Sequence, residues 1–363
     1  MIRTDDLRLE ERVAFALRQL YRAHGYAPYR MSKFEEYDFY VRNKSFLVSD
    51  SILTFTDADG RLMALKPDVT LSIVRNTRDG EVRKVYYHEN VYRPARGDRA
   101  YREIPQVGLE CIGATDEYSL REVLSLAEES LSEISGRSIL TLSHLGLLTE
   151  VIRRSGYPEQ THPELFRCIG EKNRGGIEAL TAGAGLPAEA AGRLIALVTR
   201  DGGLESVLTL LESLWEDAGW RREVERFRRI CAGLSRDRVR VDFSIVSDRS
   251  YYNSIVFVGY AEGIPERILS GGQYDQLMHK LGKTSGAVGF AVYLDQLERL
   301  STAAVGCDAD VLLLYDASVD PERVARTVSD LIASGKRVLA ATRAPENGIY
   351  GETVRLGKEA DNG

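Results

Sequence analysis

Hydrophobic positions recur at helical spacing near the start of the chain, where Leu7, Val13, Leu17, Leu20 and Tyr21 precede Gly25. Thr4, Asp5 and Asp6 stand just before them, so the pattern predicts a capped amphipathic helix that packs on a sheet. Residues 31–46 carry Tyr37, Phe39 and Tyr40 without a helical period, which predicts an extended and irregular stretch. Residues 52–55 and 62–65 flank Asp57, Asp59 and Gly60, the pattern of a hairpin with an Asp-Gly turn. Lys66, Pro67 and Asp68 then lead into a helical run over 71–75. Asp68 can cap that helix, and Thr70 falls in its first turn.

The longest β signal covers residues 85–113. Apolar runs at 85–87, 91–92 and 104–112 flank a segment holding Pro94, Gly97, Asp98 and the arginines 93, 96, 99 and 102. This predicts two antiparallel strands joined by a long basic loop. In the second strand Val107, Leu109 and Cys111 alternate with Gln106, Gly108 and Glu110. One face is then apolar. The other carries an amide and a carboxylate roughly 13 Å apart at the usual strand rise, with a gap between them at Gly108. Arg93 can close the rim. Such a face suits a small molecule with a cationic and an anionic end; the plainer reading is an ordinary sheet with one wet face.

Asp116 opens a helix with Leu120, Val123, Leu124, Ala127, Leu131 and Ile134 on one side, and residues 138–142 form a short strand. From 147 to about 234 the pattern is helical, with breaks at 156–158, 175–176, 183–187 and 202–203, which predicts a helical insertion over about 156–236. Its last helix, 220–234, carries Arg221, Arg222, Arg226, Arg228 and Arg229. A solvated face is the favoured reading, contact with RNA or an acidic partner the other. Strand patterns return at 239–246, 251–260 and 287–294. Between the last two, Gly271 and Gly272 read as a turn that allows close approach to a ligand, followed by a helix to Leu281. Residues 308–363 read as strand (310–315), helix (321–334), strand (336–341) and a polar end. The domains expected are 1–302 and 308–363.

Composition adds exclusions. The 363 residues are 44% hydrophobic and 28% charged, with no apolar run near the ~20 residues that span a membrane. The charged N-terminus predicts no signal peptide, and the four separated cysteines predict reduced thiols in the cytoplasm. The five histidines have no metal-ligand spacing. No metal and no cofactor is expected. The net charge of −6 offers no general attraction for nucleic acid.

Tyr92-Arg93, the arginine-rich loop, residues 101–106 and Gly108-Leu109-Glu110 resemble motif 2 of histidyl-tRNA synthetases. Tyr251-Tyr252, Leu269-Ser-Gly-Gly-Gln-Tyr-Asp275 and Gly289-Phe290-Ala291 resemble the histidine signatures and motif 3 of that family. The resemblance covers about 7–155 and 239–302. It implies an α+β class II aminoacyl-tRNA synthetase-like fold: a mixed, mostly antiparallel sheet flanked by helices, with a helical insertion and a short C-terminal α/β appendage. It also implies a homodimer interface in residues 31–46, and a histidine site of Asp68, Thr70, Arg93, Gln106, Glu110, Tyr251, Tyr252 and Tyr274. In the family an arginine–proline–glutamate stands where this chain has Lys66-Pro67-Asp68.

Two catalytic arginines of the family are replaced, by Ser247 in the first histidine signature and by Gln296 at the end of motif 3. By the same resemblance the anticodon-binding domain is expected to be a shortened one. A pocket retained with its reaction lost is similar to one group in the family, the regulatory subunits of short-form ATP phosphoribosyltransferase. That resemblance implies no catalysis, assembly of a homodimeric core with the short catalytic subunit into a hetero-oligomer, free histidine as effector, and no dependence on membrane or tRNA. The alternatives are a divergent histidyl-tRNA synthetase and an amino-acid-binding pseudo-synthetase with another partner.

Overall fold

The computed structural model describes residues 7–43, 47, 52–94, 100–113, 115–200, 202–246, 251–300, 307–346 and 348–357. They divide into two units, 1–300 and 301–363.

The first unit opens with α1 (Leu9–Ala23), which buries Val13, Ala14, Leu17 and Tyr21 as its apolar stripe requires. The caps expected at residues 4–6 lie outside the described residues. After β1 (Ala27–Pro28) come β2 (Phe34–Glu36) and α2 (Tyr37–Arg42). The stretch expected to be irregular is therefore partly helical; six residues are too few to show a period. The predicted hairpin forms from β3 (Thr54–Thr56) and β4 (Leu62–Leu65). Asp57 Oδ1 accepts from the Asp59 and Arg61 amides, and Gly60 takes the positive φ of 81° that the turn demands. Helix α3 (Thr70–Arg75) follows, with Asp68 accepting from the Leu71 amide at 2.8 Å.

Strands β5 (Arg83–Pro94) and β6 (Tyr101–Ile112) pair along their whole length, with Arg93 opposite Arg102. The predicted loop is thus shorter than expected: two of its four arginines belong to the strands, and residues 95–99 lie outside the described residues. Helix α4 (Glu117–Ile134) is capped by Asp116, which accepts from the Ser119 amide, and leads to β7 (Ser138–His144). The helical insertion holds α5 (Leu145–Arg154), α6 (His162–Gly170), α7 (Arg174–Gly183), α8 (Ala188–Thr199), α9 (Leu204–Leu214) and α10 (Ala218–Ile230). Gly175 and Gly176 lie inside α7 rather than breaking a helix, because Asn173 caps it by accepting from the Gly176 amide. On α10, Arg228 pairs with Glu205, Glu212 and Glu225, and Arg229 with Glu117, as a solvated ion-pair face would.

The chain returns through β8 (Val239–Val241), β9 (Ile255–Ala261), β10 (Leu269–Gln273), α11 (Asp275–Lys280) and β11 (Ala287–Tyr293). Strands β8 and β9 are shorter than predicted. Gly271 and Gly272, expected in a turn, lie within β10, which pairs antiparallel with both β9 and β11. Among the described residues the main sheet has the order β1-β5-β6-β11-β10-β9-β7-β8. Its interior is antiparallel, with parallel pairs at the two edges. One face carries Val107, Leu109 and Cys111 into a core shared with α1 and α4. The opposite face carries Ile112 into a second cluster with Val69, Leu71 and Tyr274.

The second unit is a parallel sheet of β12 (Ala309–Tyr315), β13 (Val338–Ala341) and β14 (Tyr350–Leu356) in the order β13-β12-β14, with α12 (Pro321–Ala333) joining β12 to β13. Strand β14 stands where a polar end was expected; only Tyr350, Val354 and Leu356 in it are large and apolar.

Candidate functional site

Strand register builds the site floor. Gln106, Gly108 and Glu110 on β6 face Tyr293, Ala291 and Gly289 on β11, and the last two continue to Ser270 and Gly272 on β10. Paired residues point to the same side, so small residues form a low middle to the sheet. A Cβ at Gly108 would overlap the Tyr87 hydroxyl, one at Gly272 the Tyr252 ring, and one at Gly289 the Glu110 carboxyl. The glycines let three larger side chains lie across the floor. Above it is a cavity of about 100 Å³. That is several times the ~10–15 Å³ a single water needs, and enough for a small molecule.

Glu110, on β6, is 1% exposed. Thr70 Oγ1 at the start of α3 donates to its Oε1 at 2.6 Å, and Tyr274 Oη, just before α11, donates to its Oε2 at 2.5 Å. Burial pushes the carboxyl up to about 8; the two donors oppose that shift and the nearby Asp68 charge adds to it. At neutral pH the acid is therefore mainly protonated, able to donate as well as accept. Asp68 is also raised by burial, opposed first by Arg93, whose Nη2 stands 3.7 Å away. Arg93 Nε donates to the Pro67 carbonyl at 2.8 Å. The Tyr92 amide donates to the Lys66 carbonyl at 3.0 Å, and buried Lys66 forms an ion pair with Glu89. These links strap the segment bearing Asp68 and Thr70 onto β5.

Gln106 is 3% exposed, and its Nε2 has no hydrogen-bond partner. A buried donor bordering a cavity is satisfied when a ligand brings an acceptor. Tyr251 stacks edge-on with Tyr252 at 4.8 Å and leans on Tyr274 at 5.7 Å, forming an aromatic wall. All eight residues expected to bind histidine border this one cavity. The set offers acidic acceptors, basic donors and an aromatic side, which suits a zwitterion with a polar ring.

Tyr87, Arg267, Ser270, Phe290 and Tyr293 also border the cavity and were not anticipated. Tyr87 pairs with Gly108 across β5–β6, Ser270, Phe290 and Tyr293 follow from the β6–β11–β10 register, and Arg267 lies on the segment before β10; no local pattern encodes these meetings. Lys66 does not border the cavity; it acts from behind through Glu89. Ser247 lies outside the described residues. Gln296 follows β11 in a 3-10 turn, where its Nε2 donates to Asp295 Oδ2 at 2.9 Å. The buried Gln296 Oε1 and Asp295 Oδ1 have no partner. Among the described residues no group of three or more His, Cys, Asp or Glu is arranged to hold a metal ion. No helix there is long and apolar enough to cross a membrane.

Residues 3–297 match the family model described as histidyl-tRNA synthetase. The ATP phosphoribosyltransferase regulatory subunit of Desulfitobacterium hafniense (strain Y51) is 28% identical over 300 residues, which cover 80% of this chain and 76% of that one. The histidine–tRNA ligase of Methanocaldococcus jannaschii is 25% identical over 322 residues, covering 86% and 76%. A crystal structure from Bacillus halodurans, described as an ATP phosphoribosyltransferase regulatory subunit/histidyl-tRNA synthetase, has a TM-score of 0.79 at 21% identity, covering 96% of this chain and 94% of that one. The likeness shows a shared fold.

Proposed function

This chain belongs to the histidyl-tRNA synthetase family, and from that premise we propose that it is a regulatory subunit of ATP phosphoribosyltransferase, acting in the cytoplasm in histidine biosynthesis. In this reading it performs no synthetase chemistry. It joins a short catalytic subunit, is needed for that subunit's activity, and carries feedback inhibition by free histidine. The observation that carries the reading is the contrast within the site. The amino-acid cavity is furnished, with Glu110 held by two hydroxyls and the Gln106 amide awaiting an acceptor. The position of the γ-phosphate arginine holds Gln296, whose unpartnered oxygen, like that of Asp295, would repel a phosphate.

The chemistry follows from the side chains. Asp68 takes the ammonium of histidine, Glu110 and the tyrosines take the imidazole, and Gln106 takes a carboxylate oxygen. A ligand lacking the ring nitrogens leaves Glu110 without its ring partner, which is how a polar pocket discriminates. Histidine inhibits by favouring an inactive state of the assembly, to the extent of its differential affinity for the two states. Each lost arginine removes a charge-assisted contact of about 1.5–3 kcal/mol from a step that depends on such contacts. For the homodimeric core, Phe34 and Leu62 on the β2-β4-β3 sheet remain exposed as apolar surface.

The test mixes the purified chain with a short-form ATP phosphoribosyltransferase catalytic subunit. Activity should rise on mixing and fall on adding histidine, while histidine-dependent exchange of pyrophosphate into ATP stays at background. No activation, together with exchange at ordinary enzyme rates of about 1–1000 per second, would instead make the chain a divergent ligase.

A further inference from the structure

We propose that Arg267 is the residue that reads the ligand's carboxylate, making the cavity selective for an intact α-amino acid over the corresponding amine. The inference rests on the histidine-site reading above and adds to it a residue outside the motifs.

A zwitterionic ligand needs one acid and one base held apart. Among the described residues two arginines border the cavity, Arg93 and Arg267. Arg93 stands at the acid end of the cavity. Its Nε donates to the Pro67 carbonyl and its Nη2 lies 3.7 Å from Asp68, the acid needed for the ammonium. A guanidinium beside that acid is badly placed to hold the opposite charge of the same ligand.

Arg267 enters from another direction. It lies on the segment between β9 and β10, half-buried, on the wall between the cavity and a groove lined by Phe166 of α6 and Val246. The residue after it, Ile268, is held by two backbone bonds. The Ile268 amide donates to the Gly259 carbonyl and the Tyr293 amide donates to the Ile268 carbonyl, both at 2.9 Å. Tyr293 is in turn paired with Gln106. Ile268 thereby falls in the row of Tyr293 and Gln106, at the end away from Glu110, and Arg267 directly precedes it. The Gln106 Nε2 is the buried donor left unpartnered there. An amide donor and a guanidinium that border the same small cavity match the two oxygens of a carboxylate. Arg267 would supply the cation that the family carries at the position of Ser247, from a different stretch of chain.

The test is calorimetry on the full chain with histidine and with histamine, which keeps the ring and the amine but lacks the carboxylate. The wild type should prefer histidine. Arg267→Gln should weaken histidine roughly tenfold to a hundredfold, the span of one charge-assisted bond, and change histamine by less than about threefold. Arg267→Lys should recover part of the preference, since lysine keeps the charge and loses the fork. Equal weakening of both ligands would assign Arg267 to cavity shape, and an unchanged preference would place carboxylate recognition elsewhere. Either outcome overturns this inference and leaves the histidine site standing. A wild type that binds no histidine overturns both.

Discussion

Glu110 on β6 and the Asp295–Gln296 pair in the turn after β11 are treated in opposite ways. Glu110 is sealed from water, yet each of its oxygens accepts from a hydroxyl brought in by a separate helix start. Asp295 and Gln296 bond to each other and leave two buried oxygens unmatched. A buried polar group without a partner costs about 1–3 kcal/mol. The surroundings meet that cost in full at Glu110 and not at Asp295 and Gln296, and the Gln106 amide at the rim of the cavity is also unmatched. On the reading proposed above, that difference is what a chain that binds an amino acid without activating it would show.

The severest way to break the contrast is Gly289→Ala. The added methyl would overlap the Glu110 carboxyl and the Leu109 carbonyl. Displacing Glu110 removes its two hydroxyl bonds along with the ring contact. Histidine affinity should fall more than about a hundredfold and stability by about 1–3 kcal/mol, the usual cost of overpacking. Calorimetry and thermal melts check both. Affinity within threefold of wild type would mean that Glu110 does not touch the ligand.

A milder probe is pH. Glu110 titrates near 8 in the free protein, and the imidazole of histidine near about 6.5. A carboxyl and an imidazole that share one proton pair best between those values. Below the window both partners carry that proton and one must be released on binding; above it neither does and the pair must take one up. Affinity should peak between about 6.5 and 8 and fall on each side by up to tenfold per pH unit. Glu110→Gln should flatten the alkaline limb. The same shift has a consequence for stability. The folded state keeps the Glu110 proton that the unfolded chain releases near about 4.3, so the free protein loses stability as pH rises from there to about 8 and is level above it.

The smallest effect is expected at the Asp295–Gln296 pair. Asp295 is raised by burial, and Asp295→Asn removes a charge that the fold accommodates poorly. Histidine affinity should stay within about twofold and the melting temperature should hold or rise. A large loss of histidine binding would show that the two regions act as one site.

Much of this was legible in the chain itself. Alternation in residues 106–111 placed Gln106 and Glu110 on one face and Val107, Leu109 and Cys111 on the other, as β6 has them. Asp68, Asp116 and the Asp57–Gly60 turn announced the starts of α3 and α4 and the β3–β4 hairpin. Such features act over one to four residues, so the sequence states them directly. What it could not state is which distant strands become neighbours. Gly271 and Gly272 read as a turn because nothing local distinguishes a loop glycine from one under a crowded floor; the rings of Phe257 and Tyr252 and the carbonyls of Gly289 and Ile255 make the difference. Tyr87 and Arg267 carry no motif; Tyr87 enters the cavity through cross-strand register, and Arg267 from the segment that leads into β10. The pKa of Glu110 belongs to neither list of neighbours in sequence, because desolvation depends on everything that surrounds the carboxyl. Residue types and short spacings came from the chain; adjacency and burial, which turn those residues into a site, came only when eight strands closed into one sheet.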